Sequence, residues 1–188
     1  MTAPVLTPVA PVRSSWCRIL FKPLVALVPL AVTYTLSFAP SASADIYLVR
    51  HAEKLGGEDP ALTFCGEQRA RWLANYFASA SVTAVFTTNY VRTTDTARPV
   101  AQYHQLKLQT YDPRALDALA KKLDDYTGDV VVVGHSNTTP QLASLLASAE
   151  VDDLDETHYN RLYRITREGE LRVELQTFEC VASEDSSH

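Results

Sequence analysis

Four consecutive valines, Val130 to Val133, form the most strongly β-branched run in this chain of 188 residues. Such side chains favour strands, and a run without polar alternation is typical of a strand that is buried on both faces of a sheet. The run begins after the turn signal at Gly128 and ends just before His135. The valines therefore predict the central strand of a sheet that helices cover on both sides.

The rest of the chain alternates between strand-like and helix-like patterns. Short apolar runs predict strands, and apolar residues that recur every three to four positions predict helices. The predicted strands are 45–50, 82–87, 106–111, 130–133, 161–166 and 170–178, and the predicted helices begin near residues 63, 92, 112 and 139. The last two strands flank Glu168-Gly169 and are typical of a β-hairpin. We expect an α/β fold, a three-layer αβα sandwich with a mostly parallel sheet and an antiparallel hairpin at one edge.

The first 44 residues have the pattern of an export signal. Three basic residues precede a largely apolar stretch, and Ala42 and Ala44 form an A-x-A cleavage site. We therefore expect an exported protein, periplasmic or secreted, with a folded domain at 45–181 and a disordered tail at 182–188. An uncleaved N-terminal membrane anchor is the alternative. A proline and several hydroxyl side chains interrupt the apolar stretch, which favours cleavage and no stable membrane insertion afterwards.

The remainder of the chain is acidic. Residues 1–44 hold three of the 17 Lys and Arg residues and none of the 22 Asp and Glu residues, so the rest has a formal charge of 14 minus 22, or −8. An acidic surface argues against nucleic acid or an anionic membrane as a partner. A negatively charged substrate would therefore need a local cluster of cationic side chains.

Two cysteines, Cys65 and Cys180, remain once the signal is removed, an even number in a chain that we expect to be exported. A bridge between them would close a loop of 115 residues, for which the chain-entropy model gives about 4 to 5 kcal/mol. Two free thiols are the alternative, because the sequence does not show that the two residues meet. Neither cysteine has a metal-ligand spacing.

Two histidines follow directly after predicted strands, at the edge where open α/β sheets bind ligands. His51 ends the first strand together with Arg50, and His135 follows the valine strand. The segment after the second strand supplies Arg92, near the start of the second predicted helix. Because guanidinium groups present paired donors that match phosphate oxygens, these four side chains predict a phosphoryl-binding pocket.

The chemistry of phosphoester hydrolysis gives each of these residues a role. The neutral imidazole of His51 can attack phosphorus and form a phosphohistidine that water then hydrolyses. Arg50 and Arg92 would neutralise the phosphoryl oxygens, and His135 would stabilise the equatorial oxygens. Asn137 and the helix N-terminus that follows it would add further donors.

The leaving group also needs a proton, and Asp112 and Glu53 are the candidate donors. Each has a structural alternative: Glu53 could form a salt bridge with Arg50 or a nearby arginine, and Asp112 could cap the third helix. Asn89 could position Arg92, bind phosphate or only shape the turn. The two histidines could instead bind a metal, but neighbouring arginines oppose a divalent ion and no third ligand is evident. We therefore expect neither a metal nor another cofactor.

Several segments occur in a fixed order: Arg50-His51-Ala52-Glu53, Asp59 to Thr63 with Gly66 and Arg69-Ala70, Thr88-Asn89 with Arg92-Thr93 and Thr96-Ala97, and Gly134 to Asn137. In this order they resemble the histidine phosphatase superfamily, branch 1, which contains the phosphoglycerate mutases and their phosphatase relatives. The resemblance runs from Asp45 to Tyr163. It implies that His51 becomes phosphorylated, that Arg50, Arg92 and His135 complete the phosphate pocket, and that no metal is required.

The chain departs from the mutase pattern in two respects. It lacks the long insertions that wrap phosphoglycerate, and it lacks the usual Leu-x-Glu acid segment after the second arginine motif. Its compact length is more similar to small bacterial phosphatases, including phosphohistidine phosphatases and an exported lipopolysaccharide-heptose phosphatase. The resemblance implies metal-independent hydrolysis of a small phosphomonoester. A non-catalytic phosphoester-binding module is the alternative, and a mutase is disfavoured because an exported protein would not meet a glycolytic intermediate.

Overall fold

A computed structural model describes residues 44–181 of the chain. Apart from Ala44, the export signal expected at 1–44 lies outside the described residues, and so does the tail expected at 182–188. Within the described part, no helix has both the length and the apolar composition needed to cross a membrane.

The centre of the fold is a six-stranded sheet. Its strands are β1 (Ile46–Arg50), β2 (Val82–Thr87), β3 (Leu108–Thr110), β4 (Asp129–Gly134), β5 (Arg161–Ile165) and β6 (Leu171–Leu175). The strand order is β3-β2-β4-β1-β5-β6. The first four strands pair in parallel, whereas β5 runs antiparallel to β1 and forms a hairpin with β6 at the edge. The expected mostly parallel sheet with an antiparallel edge hairpin is confirmed.

Four helices cover the two faces of the sheet. They are α1 (Phe64–Tyr76), α2 (Val91–Tyr103), α3 (Leu116–Leu123) and α4 (Thr138–Ala147). Because successive side chains of a strand point to opposite faces, Val131 and Val133 pack with α1 and α2, while Val130 and Val132 pack with α3 and α4. None of these valines is more than 2% exposed. The expected three-layer sandwich and its central strand β4 are confirmed.

The third strand is shorter than the sequence pattern predicts. The pattern predicts a strand at 106–111, whereas β3 covers only Leu108–Thr110. The backbone N–H of Leu106 donates to the carbonyl of Ala101 in the last turn of α2, at 2.8 Å. Leu106 therefore belongs to the connection between α2 and β3, and its N–H is not free to bond to β2.

The start of the third helix is also later than predicted. The Asp112-Pro113 pair predicts a helix that begins there, but α3 begins at Leu116, and its N-cap, Ala115, makes no side-chain capping bond. The Oδ1 atom of Asp112 accepts the backbone N–H of Arg114, at 2.9 Å. Asp112 therefore stabilises the turn before the helix, and the prediction that it caps α3 is wrong.

The two cysteines form a disulfide bond. Cys65 lies in the first turn of α1, Cys180 follows β6, and their Cα atoms are 5.3 Å apart. Next to the bridge, the side chain of Gln68 donates to the carbonyl of Val181 at 2.9 Å and accepts the N–H of the same residue at 3.2 Å. The bridge and these hydrogen bonds hold the end of the described chain against α1.

Candidate active site

The carboxyl ends of β1 and β4 lie side by side and bring the two predicted histidines together. Arg50 is the register partner of Gly134, and the N–H of His51 donates to the carbonyl of Gly134 at 2.9 Å. The ring centroids of His51 and His135 are 5.7 Å apart. Both rings line a cavity of about 360 Å³, together with Arg92 and Asn137. We call it the histidine cavity.

His51 is oriented by a backbone carbonyl. Its side chain is buried, and Nδ1 lies 2.8 Å from the carbonyl oxygen of Ala52. Because a carbonyl oxygen only accepts hydrogen bonds, Nδ1 must carry the ring proton, which leaves the lone pair on Nε2. Ala52 is itself held in place, because its N–H donates to the hydroxyl of Thr96 in α2, at 2.9 Å. His51 is therefore held in the tautomer that a nucleophile attacking through Nε2 requires.

His135 has the opposite arrangement of ring nitrogens. Nη2 of Arg92 lies 3.3 Å from its Nδ1, and the hydroxyl of Thr88 lies 3.0 Å from its Nε2. A guanidinium group can only donate, so Nδ1 accepts from Arg92, and Nε2 carries the proton and donates to Thr88. In this state both ring nitrogens of His135 are engaged by protein groups.

Both histidines are uncharged at neutral pH. Burial lowers the pKa of His51 to about 4, helped by the positive charges of Arg50 and Arg92 and by His135. Burial also lowers the pKa of His135 to about 4, with the charges of Arg92 and Arg50 next in importance. An uncharged imidazole retains its lone pair, so His51 is nucleophilic without a separate base to deprotonate it.

We predict that His51 and His135 stay neutral in the folded protein well below the ordinary histidine pKa of about 6.5. Their imidazole ¹H and ¹⁵N chemical shifts should be constant from pH 7.5 to pH 5, with the resonances assigned from His51→Ala and His135→Ala spectra. Titration of either ring near pH 6.5 would contradict this prediction. Because the unfolded chain would take up these protons first, the free energy of unfolding should fall as the pH decreases from 6.5 towards 4.

Arg50 is buried beneath the acidic loop between α4 and β5. Its side chain is 1% exposed; Nη1 donates to the carbonyl of Asp155 at 2.9 Å, and Nη2 donates to Oε2 of Glu156 at 2.8 Å. Its guanidinium carbon lies 4.4 Å from the ring centroid of Tyr159. Arg50 does not itself line the histidine cavity, but Glu156 does. The loop between α4 and β5 therefore lies between this arginine and the cavity.

Arg92 is positioned by an acidic and an aromatic side chain. Its Nη1 donates to Oδ1 of Asp59 at 3.3 Å, and its guanidinium carbon lies 4.4 Å from the ring centroid of Tyr90. Among the described residues, the buried Nε–H groups of Arg92 and Arg50 have no hydrogen-bond partner. The site therefore contains guanidinium donors that protein groups do not satisfy.

Glu53 forms a salt bridge with a nearby arginine, as one of the two alternatives predicted. Its carboxylate accepts from Arg69 Nε at 2.9 Å and from Nη2 at 2.6 Å. Burial alone would raise the pKa of Glu53, but the hydrogen bonds and charge of Arg69 outweigh it and lower the pKa. A Cβ atom at Gly66 would lie 2.1 Å from the carbonyl oxygen of Glu53, so only glycine fits there. The salt bridge to Arg69 and the close approach of Gly66 hold the residues after His51 against α1.

The other two candidates from the sequence lie in a neighbouring cavity. Asp112 and Asn89 line a space of about 530 Å³ that shares the walls Tyr90, Pro113 and Arg114 with the histidine cavity. Asn89 was one candidate for positioning Arg92, but the side chain that pairs with Arg92 is Asp59. The structure therefore brings His51, Arg92, His135 and Asn137 together, and places Asp112 and Asn89 beside them in the adjoining cavity.

Sequence reasoning missed Glu156, Tyr159, Tyr90 and the role of Asp59. Asp59 belongs to one of the ordered segments, so its position after the nucleophile could have indicated a role. Glu156 is one of several acidic residues between α4 and β5, and nothing in that pattern distinguishes it from its neighbours. Within residues 44–181, no three His, Cys, Asp or Glu side chains are grouped so that they could hold a metal ion.

Comparison with models of protein families finds the family that the ordered segments resemble. The model of the histidine phosphatase superfamily (branch 1) matches residues 46–113, a range that contains the first three of the four ordered segments. No curated protein matches the sequence.

Solved structures share the fold at low sequence identity. The protein histidine phosphatase SixA complexed with tungstate is 15% identical, with a TM-score of 0.55 over 69% of this chain and 94% of that chain. A putative phosphohistidine phosphatase SixA from Nakamurella multipartitia is 18% identical, with a TM-score of 0.54 over 74% and 99%. A mycobacterial glucosyl-3-phosphoglycerate phosphatase complexed with inorganic phosphate is 13% identical, with a TM-score of 0.53 over 72% and 98%. The chain has the histidine phosphatase fold.

Proposed function

We propose that this protein is a metal-independent phosphomonoester hydrolase that acts through a phosphohistidine intermediate on His51. The observation that carries the proposal is the bond from His51 Nδ1 to the carbonyl of Ala52, which leaves Nε2 as a nucleophile in a cavity that also holds Arg92 and His135. The complexes of the solved relatives with tungstate and with inorganic phosphate support a phosphoryl group as the ligand.

A bound phosphoryl group would change the state of His135. If its oxygens take the Nη2 donor of Arg92, Nδ1 of His135 loses its present partner. The negative charge of the phosphoryl group would then favour a proton on Nδ1, and His135 would become a donor to an equatorial oxygen. Asn137 makes no capping bond at the start of α4, so its side chain is available to the same ligand.

Positive charge for the reaction comes from guanidinium groups in this proposal. Arg92 lines the histidine cavity and Arg50 lies directly behind Glu156. Fixed cations that lie close to both histidines disfavour a divalent ion at the same position, which supports chemistry without a metal.

The first test is hydrolysis of p-nitrophenyl phosphate by the full-length chain in the presence of EDTA. We expect steady turnover that EDTA does not reduce. Phosphate binding without any turnover would instead favour the phosphoester-binding module, and isomerisation of phosphoglycerate without release of phosphate would favour a mutase.

We also propose that the protein is exported to the periplasm or secreted. The signal-like pattern of residues 1–44 supports this location, as does the Cys65–Cys180 disulfide bond, because such bonds persist in oxidising compartments. Fractionation should recover outside the cytoplasm a chain whose N-terminus is Asp45. A full-length chain in the membrane fraction would favour the N-terminal anchor instead.

A further inference from the structure

The proposed hydrolysis needs a proton for the leaving oxygen, and the two carboxylates expected to supply it are not in the histidine cavity. Glu53 is bound to Arg69 by hydrogen bonds to both Nε and Nη2. Asp112 lines the adjoining cavity and accepts a backbone N–H of its own turn. Among the described residues that line the histidine cavity, Glu156 alone has a carboxyl side chain.

We propose that Glu156 is the general acid of this site, an inference that rests on the proposed phosphatase function. Its Oε2 accepts from Nη2 of Arg50 at 2.8 Å, and its Oε1 accepts from the hydroxyl of Ser136 at 2.7 Å. Ser136 directly follows His135, so the carboxylate is anchored at the same cavity edge. The Glu156 side chain is 75% exposed, which leaves it room to move along the cavity mouth.

The present position of Glu156 couples its protonation to substrate binding. The hydrogen bond from Ser136 and the charge of Arg50 lower the pKa of Glu156. A phosphoryl group is a stronger anion and competes for the Arg50 donors that the carboxylate now occupies. Once displaced, Glu156 loses its cationic partner and gains a negative neighbour, and both changes favour the protonated carboxyl.

Other charged groups around the cavity have opposing effects on this protonation. Lys54, Arg92 and Arg114 line the cavity and favour the carboxylate form of Glu156. Asp155 lies next to Glu156 in the chain, and its negative charge favours the protonated form. A dianionic phosphoryl group would offset two of these three positive charges, which shifts the balance towards the protonated form of Glu156 in the complex.

The proton and electron pairs balance over two steps. In the first, Nε2 of His51 forms a bond to phosphorus, the ester P–O bond breaks, and the leaving oxygen takes that electron pair together with the Glu156 proton. In the second, a water oxygen attacks phosphorus and its proton passes to the Glu156 carboxylate. The P–N bond then breaks, its electron pair returns to Nε2, and inorganic phosphate leaves. The sum is one ester and one water converted to one alcohol and one phosphate.

The test is the dependence of Glu156→Gln on the leaving group. p-Nitrophenolate leaves without help, whereas an alkoxide needs a proton. We expect kcat/KM for an alkyl phosphate, which reports the phosphorylation of His51, to fall about a hundredfold or more. The value of kcat/KM for p-nitrophenyl phosphate should fall far less. Inorganic phosphate should also inhibit the variant more tightly, because glutamine does not compete as an anion for Arg50. The p-nitrophenolate that is released when His51 becomes phosphorylated does not depend on Glu156, and this release shows that the variant is folded.

Asp112→Asn is the matched control, since it removes a carboxylate from the adjoining cavity. It should affect both substrates to the same extent. Equal losses of kcat/KM for both substrates in Glu156→Gln, or a loss confined to the alkyl phosphate in Asp112→Asn, would overturn the assignment. A wild-type chain that hydrolyses neither ester would instead overturn the proposed function, and this assignment with it.

Discussion

Replacing His51 by alanine should lower kcat for p-nitrophenyl phosphate by at least about a thousandfold, since loss of a covalent nucleophile removes the whole catalysed route. The substitution leaves the cationic part of the cavity in place, because Arg92 is held by Asp59 and Tyr90 and not by His51. Binding of inorganic phosphate, measured by calorimetry, should therefore survive in the variant.

A matched control for this substitution is His104→Ala. His104 follows α2, and its Nε2 lies 3.1 Å from the carbonyl oxygen of Phe77, away from the histidine cavity. This variant should keep the turnover of the wild type. If His51→Ala hydrolysed the aryl phosphate at close to the wild-type rate, the covalent mechanism would be wrong even though the fold is that of a phosphatase.

The largest expected effect on stability is the loss of the Cys65–Cys180 bond. The bond spans 115 residues, and removal of such a bond lowers the free energy of unfolding by about 2 to 5 kcal/mol. For a domain of this size, the double variant Cys65→Ser/Cys180→Ser should have a Tm lower by on the order of 10 °C. Scanning calorimetry with and without dithiothreitol measures the effect.

The reductant supplies the control for this prediction. Dithiothreitol should lower the Tm of the wild type to that of the double variant and leave the double variant unchanged. Arg69, which holds Glu53, also lies 4.5 Å from the ring centroid of Phe178, two residues before Cys180. If neither the double substitution nor dithiothreitol lowered the Tm, the contacts of the C-terminal segment, such as that of Phe178 with Arg69, would hold it without the bridge.

Local patterns predicted most of the fold because each strand and helix is encoded over a few neighbouring residues. The strand at 82–87 agrees with β2 at both ends, since its apolar run is bounded by polar residues. The cap expected at Asp112 was wrong because aspartate stabilises a turn and a helix N-terminus by the same kind of bond. The sequence cannot distinguish these two uses when proline follows.

The candidate site was predictable where a side chain follows a strand, and not where a distant loop folds back. His51 and His135 meet because parallel strands end at one edge of the sheet. Arg50 and Glu156 are 106 positions apart in the chain, and their ion pair depends on how the loop after α4 packs. The Cys65–Cys180 pairing was left open for the same reason, since only the packing of the C-terminal segment on α1 brings the two residues together.

The most direct measurement is identification of the phosphorylated residue. The full-length chain would be mixed with p-nitrophenyl phosphate, quenched in alkali, digested with protease, and mapped by mass spectrometry under conditions that preserve phosphohistidine. We predict one phosphoryl group on His51, absent from the His51→Ala variant and lost on brief acid treatment. Turnover with no label on His51, or with the label on another residue, would contradict the account.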